Sequence, residues 1–221
     1  MSKPSIDQIL TNLINEVLLG RAYLTIANGL KDADPVVLKA SPTFFGLTIE
    51  ASLQMSQMYA AKLYDQTKGA VTVESLLDRA KLGTATFKNG APGDVSLVVE
   101  NATTRIAGLR DIMRSIQKRR HEALAHLDPR TVIDPVGLAT RAKLTISDLR
   151  KVFDETSAVL NDVMRLWQDT YAHMEFIGSD DYETSLDLIA DAKHAQVDKW
   201  EKQFPDKPCD FPRPRTPRRP W

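Results

Sequence analysis

Cysteine is nearly absent: one, Cys209, stands in 221 residues. That excludes an internal disulfide and a Cys-rich zinc site. Excess charge is absent as well, with 29 Lys and Arg against 29 Asp and Glu. A uniformly basic nucleic-acid coat is therefore excluded, while a local basic strip is not. No uncharged apolar stretch reaches the ~20 residues that a membrane span needs. The start, MSKPSIDQILTNLINEV, is amphipathic and carries acid, so it does not read as a signal peptide. A cytoplasmic protein is the expectation, with no membrane partner. Strand alternation, internal repeats and a glycine-rich phosphate loop are missing too. What is there is ordinary: 43% apolar and 26% charged residues, the composition of a globular domain with a sizeable core.

The apolar pattern is helical nearly throughout, which predicts an all-α bundle of about five to six helices. Ile6, Leu10, Leu13, Ile14, Val17, Leu18 and Tyr23 recur at helical spacing. Ser41-Pro42 is a helix start. From there Phe44, Leu47, Ala51, Met55, Met58, Leu63 and Tyr64 trace a second helix to near Gly69. Its two methionines read as core rather than as a soft ligand pair. Thr72 with Glu74 opens a short third helix, and KNGAPGD from Lys88 to Asp94 is a loop. A fourth helix is expected from about Val95 past Arg120, with Ile106, Leu109, Met113 and Ile116 inward. Asp128-Pro129 and Asp134-Pro135 punctuate its end. Thr145 to Asp148 resembles a capping box opening a fifth helix that Gly178 would end, and Asp180 with Glu183 would cap a sixth.

The composition changes at Pro205. PDKPCDFPRPRTPRRPW holds six of the twelve prolines and carries Arg213, Arg215, Arg218 and Arg219. So much proline cannot hold a helix, and the segment should be extended or disordered. The boundaries expected are thus a helical domain over 1–204 and a Pro/Arg-rich tail over 205–221. The tail could clamp a phosphate backbone or an acidic partner, although a solvated tail explains it as well.

Reactive side chains concentrate in Lys118-Arg119-Arg120-His121-Glu122-Ala123-Leu124-Ala125-His126-Leu127-Asp128. Arg110, Arg114 and Lys118, spaced by four, form a positive ladder leading into it. Residues 105–120 hold six bases against the single acid Asp111. Such a face could track phosphates, as a solvated helix face also would. Arg120 follows Ile116 by four and so continues the apolar stripe, where a guanidinium needs a partner or a water-lined groove. His126 comes six residues later, about 120° round an ideal helix. Glu122 and His126, four apart, could pair. His173, His194, Asp180-Asp181 and Cys209 show no spacing that suggests a metal site or a nucleophile.

An all-helical chain with R-H-E-A-L-A-H-L-D after its central helix resembles the HEPN superfamily (higher-eukaryote and prokaryote nucleotide-binding domains). That superfamily is marked by an arginine, four to six residues, then a histidine, often with a polar residue directly after the arginine. Here these are Arg120, His121 and His126. The wider pattern looks most like the abortive-infection-U-type branch. It shows Ala125-His126-Leu127-Asp128, Ala61-Lys62-Leu63-Tyr64-Asp65 upstream, and Thr145 to Asp148 downstream. The resemblance covers most of residues 5 to 204. It departs at His121-Glu122, where the branch usually has an acid and a lysine. Asp128 occupies the place where another HEPN branch carries a modifiable tyrosine.

The resemblance implies a metal-independent endoribonuclease in a defence or toxin role, working as a homodimer with no cofactor. Arg120, His126 and His121 would be catalytic. Arg110, Arg114, Lys118 and Arg119 would hold RNA, and Glu122 and Asp128 would support them. An antitoxin or regulatory protein is a further partner that such proteins admit. The competing expectation is a non-catalytic HEPN-like interaction or nucleotide-binding module, in which Arg120 and His126 are satisfied internally.

Overall fold

The computed structural model describes residues 4–82, 87–124, 140–178 and 180–216. Among them there are eight α-helices and no strand. These are α1 (Ile6–Asp32), α2 (Pro35–Leu38), α3 (Pro42–Leu63), α4 (Val73–Lys81), α5 (Pro92–Ala107), α6 (Arg110–Arg119), α7 (Ile146–Gln168) and α8 (Asp181–Gln203). A π-helical turn, Arg120–Leu124, continues α6. No described helix is long and apolar enough to cross a membrane. The all-α expectation holds.

The helices distribute over two compact units, one of Met1–Leu24 with Gln54–Phe176, the other of Thr25–Leu53 with Ile177–Trp221. In the first, α5 packs on α4 and α7, and α6 packs on α7. Val17, Leu63, Leu76, Leu109, Ile116, Phe153 and Leu160 are fully buried there. Gly20 of α1 is required at its place: a Cβ would sit 2.3 Å from the Phe153 ring. In the second unit α8 packs on α2, with Leu30, Val37, Ala190 and Val197 buried.

Local chemistry sets several boundaries. Thr72 and Ser75 cap α4 reciprocally, at 3.1 Å and 2.9 Å, so the partner is Ser75 and not Glu74. Thr145 and Asp148 form the expected box at the start of α7. Three boundaries of the fourth and fifth helices differ from the sequence expectation. The fourth helix breaks at Gly108: its N–H is shared between the Thr104 and Arg105 carbonyls, and the Leu109 N–H reaches back only three residues, to Ile106, in a tightened turn. It also begins three residues earlier than Val95, because Pro92 suits the first helical position. The fifth ends at Gln168 rather than Gly178. Asp169 takes a left-handed conformation (φ 55°), and the Asn161 amide then holds both backbone groups of Ala172, at 2.9 Å and 3.2 Å. Asp180 makes no side-chain cap on α8.

The apolar stripe read along α3 is outward-facing over its first half: Phe44 and Leu47 are 61% and 67% exposed. The buried positions are Phe45, Ser52, Ser56, Ala60, Ala61 and Leu63. These keep helical spacing, but their phase is carried by small and hydroxylated residues that a hydrophobicity pattern passes over.

The described part of the tail, residues 205–216, has no helix and lies against unit two. Trp200 packs on Phe204 and Phe211, with ring centroids 4.7 Å and 5.7 Å apart. Arg213 bridges Asp198 and Glu201 at 3.0 Å and 2.7 Å. The Asp34 carboxylate accepts from the backbone N–H groups of Val36, Arg215 and Thr216. These N–H groups, together with the Arg215 charge, hold its pKa below the usual carboxylate value although burial opposes them. Arg213 is thereby committed to acids of its own chain.

Candidate functional site

The first unit holds a cavity of about 930 Å³ between the end of α3, α4, α5 and α6. Its apolar wall is Leu77, Ile106, Ala107 and Met113, and its basic wall is Lys81, Arg110, Arg114, Arg120 and His121. Asp65, Glu74 and Asp78 are the carboxylates among its lining residues. Burial, with Asp78 close by, raises the Glu74 pKa. The space exceeds what one phosphate fills and could admit a nucleotide-sized group, with cationic side chains on one wall and apolar surface on the other.

Three of the sequence-selected residues converge with Arg120 on this cavity: Arg110, Arg114 and His121. The ladder lies wholly on α6, which restarts at Arg110 after the break. Arg110 is exposed, and Arg114 makes an open ion pair with Asp111 at 3.2 Å. Lys118 and Arg119 are not among the lining residues. Lys118 reaches Glu122 at 3.9 Å. Arg119 turns away and donates from Nε to the Ala142 carbonyl at 2.7 Å, a structural bond. Glu122 also faces Arg141 at 3.6 Å, so among the described residues its partners are bases. Its expected pairing with His126, and the roles of His126 and Asp128, lie outside the described residues.

Arg120 is held by a residue that the sequence placed in the motif without a role. Its Nη1 donates to Asp65 Oδ2 at 2.8 Å, across 55 positions of chain. The side chains are 25% and 20% exposed, so the pair is screened from water but reachable from the cavity. Asp65 follows the end of α3, and its other oxygen, Oδ1, accepts from the Thr67 hydroxyl at 2.7 Å and the Thr67 N–H at 2.9 Å. The Thr67 hydroxyl and N–H, and then Arg120, bring its pKa down to about 2 against the opposing effect of burial. An acid followed two residues later by threonine just past a helix end is a turn signature. It was the available signal for Asp65 and Thr67.

Two further contacts fix the frame. Tyr64, buried, bonds through its hydroxyl to Thr156 on α7 at 2.7 Å. Gln117, one turn before Arg120, donates to the Ala61 and Tyr64 carbonyls at 3.3 Å and 3.4 Å, tying α6 to the end of α3. At Arg120 the winding changes from α to π. The 120° offset expected between Arg120 and His126 assumed an ideal α-helix, a geometry the chain leaves at Arg120 itself. π-turns within α-helices concentrate at functional sites, because the inserted residue re-aims those after it.

A family model described as AbiU2, of the HEPN group, matches residues 6–194. No curated protein and no solved structure matches the chain.

Proposed function

This chain belongs to the AbiU2 family of HEPN domains, and from that premise we propose that it is a metal-independent endoribonuclease serving in defence or as a toxin. The observation that carries the reading is Arg120 on the wall of an open cavity that it shares with Arg110, Arg114 and His121. RNA brings its own nucleophile, the 2′-hydroxyl, so the protein has to supply proton transfer and charge stabilisation. His126 takes the 2′ proton or delivers one to the leaving 5′-oxygen, since an imidazole with an ordinary pKa near ~6.5 exchanges protons at neutral pH. Arg120 holds the scissile phosphate and stabilises the negative charge that builds on it. His121 assists by orientation. The products are a 2′,3′-cyclic phosphate and a 5′-hydroxyl. Arg110 and Arg114 guide the backbone, and a second copy of the chain completes the cleft, with residues 1–204 as the HEPN-like domain.

The test is incubation of purified protein, with EDTA, against a short labelled single-stranded RNA, beside Arg120→Ala and His126→Ala. Cleavage that both variants lose, leaving cyclic-phosphate ends, supports the reading. A second reading, the non-catalytic module, is favoured by one observation: Arg120 is already neutralised by Asp65 within its own chain. It predicts that Arg120→Ala lowers stability and that the folded parent leaves RNA intact.

A further inference from the structure

We propose that Asp65 positions Arg120 for the scissile phosphate, with Thr67 as the pin that fixes Asp65; this rests on the ribonuclease reading above. The two oxygens of the carboxylate serve different partners. Oδ1 belongs to Thr67, which holds it through both N–H and hydroxyl. Oδ2 alone meets Arg120. The carboxylate is therefore fixed before the arginine arrives. Its backbone is fixed as well, by the Tyr64 hydroxyl on α7 and by Gln117 on the Tyr64 carbonyl.

The contact is end-on. A guanidinium carries five N–H donors, and its strongest arrangement with an oxyanion is the two-bond fork. Asp65 uses Nη1 only, and among the described residues the Nε–Nη2 edge of Arg120 has no hydrogen-bond partner. A carboxylate that occluded the arginine would occupy the fork. This one leaves the fork open and restricts the swing of a long side chain whose residue lines the cavity. Phosphate and Asp65 thus bind different edges of one guanidinium. The Asp65 carboxylate stays ionised at any pH at which RNA chemistry runs. Misplacing a charge-stabilising group by about 1 Å costs on the order of 100-fold in rate, which sets the scale of the effect.

The experiment measures kcat and KM on a labelled RNA for the parent, Arg120→Ala, Asp65→Asn, Thr67→Ala and Thr67→Ser, with urea midpoints for each. Asp65→Asn is expected to lower kcat by about 10- to 100-fold, with KM changed far less. Thr67→Ala loses a smaller factor that Thr67→Ser restores. Added guanidinium rescues Arg120→Ala but not Asp65→Asn/Arg120→Ala, because the free cation needs the carboxylate to dock. A purely structural Asp65 would lower the urea midpoint without producing the kcat split or the dependence of rescue on Asp65. Parent-like kcat in Asp65→Asn, while Arg120→Ala is dead, overturns the positioning role and leaves the ribonuclease reading standing. A folded parent that cleaves no RNA brings down both. Should Asp65→Asn not fold, the Thr67 pair decides: equal kcat for Thr67→Ala and the parent overturns the proposal.

Discussion

The hydroxyl pair behind the site, Tyr64 and Thr156, yields an asymmetry that can be worked out in advance. Thr156 has one hydroxyl proton, and it is given to the Val152 carbonyl at 2.7 Å. The 2.7 Å bond between the two side chains must then have Tyr64 as donor and Thr156 as acceptor. Tyr64→Phe removes the donor and leaves an oxygen that still bonds Val152, so the expected cost is about 1 kcal/mol. Thr156→Val removes the acceptor and strands a phenol that is only 4% exposed, so the expected cost is about 2 kcal/mol. With both changes no polar group is left behind. The double variant should then be no less stable than Thr156→Val alone, well short of the sum. Urea unfolding of the four proteins measures this, with an m-value that should not change. In melting, each ~1 kcal/mol corresponds to roughly 2–4 °C for a chain of this size. A Thr156→Val that costs no more than Tyr64→Phe, or costs that simply add, would refute both the donor assignment and the burial argument.

Other outcomes follow from the same contacts. Asp65, held at about 2 when folded against about 3.9 in an unfolded chain, contributes stability that is complete above about pH 5 and is lost as pH falls from about 4 to 2. The gap in urea midpoint between the parent and Asp65→Asn should narrow across that window and stay constant from pH 6 to 8. Burial pushes the Tyr64 phenol up, so phenolate absorbance in the native alkaline range should be the same for the parent and Tyr64→Phe. For binding of a 2′-deoxy oligonucleotide, Arg110→Ala and Arg114→Ala should each flatten the log Kd against log salt slope by about 0.7. Arg119→Ala should leave the slope alone and cost about 1–2 kcal/mol of stability, through its lost bond to Ala142. Gly20→Ala puts a methyl 2.3 Å from the Phe153 ring. It should lower the urea midpoint by about 1–3 kcal/mol equivalent, and an unchanged midpoint would count against the packing described.

The legible parts of the fold were those written in local chemistry. Thr145 and Asp148 announce α7 because a capping box needs only four residues, and of the stripe Leu149, Val152, Phe153, Thr156, Leu160, Val163 and Trp167 all but the half-buried Trp167 are buried as the spacing says. α3 misleads because hydrophobicity and burial part company on it. Phe44 and Leu47 are the apolar choice, yet Ser52, Ser56 and Ala60 carry the inward phase. The break at Gly108 is equally hard to see, since a lone glycine inside a helical pattern is compatible with a continuous helix. In the site, Arg110 and Arg114 could be found from charge and Arg120 from phase, whereas His121 came with the family resemblance. Asp65 could not be given a partner, because nothing local connects it to a residue 55 positions away.

That long-range link explains why three separate pieces of sequence act as one pattern. Leu63-Tyr64-Asp65 spans the end of α3, Arg120 stands at the end of α6, and Thr145 at the start of α7. Tyr64 reaches Thr156, three turns into the helix that Thr145 starts, so the capping box sets the position of the hydroxyl that receives the phenol. Gln117 and Arg120 then meet the same stretch from α6, one through the Tyr64 carbonyl and the other through the Asp65 carboxylate. Moving any one piece disturbs the other two. Deleting one residue between Thr145 and Thr156 would turn Thr156 by about 100° on its helix. Tyr64 would lose its acceptor and the anchor beneath Asp65 would be gone, although every residue of the Arg120 motif remained in place. A spacing variant of that kind should therefore lose cleavage together with stability.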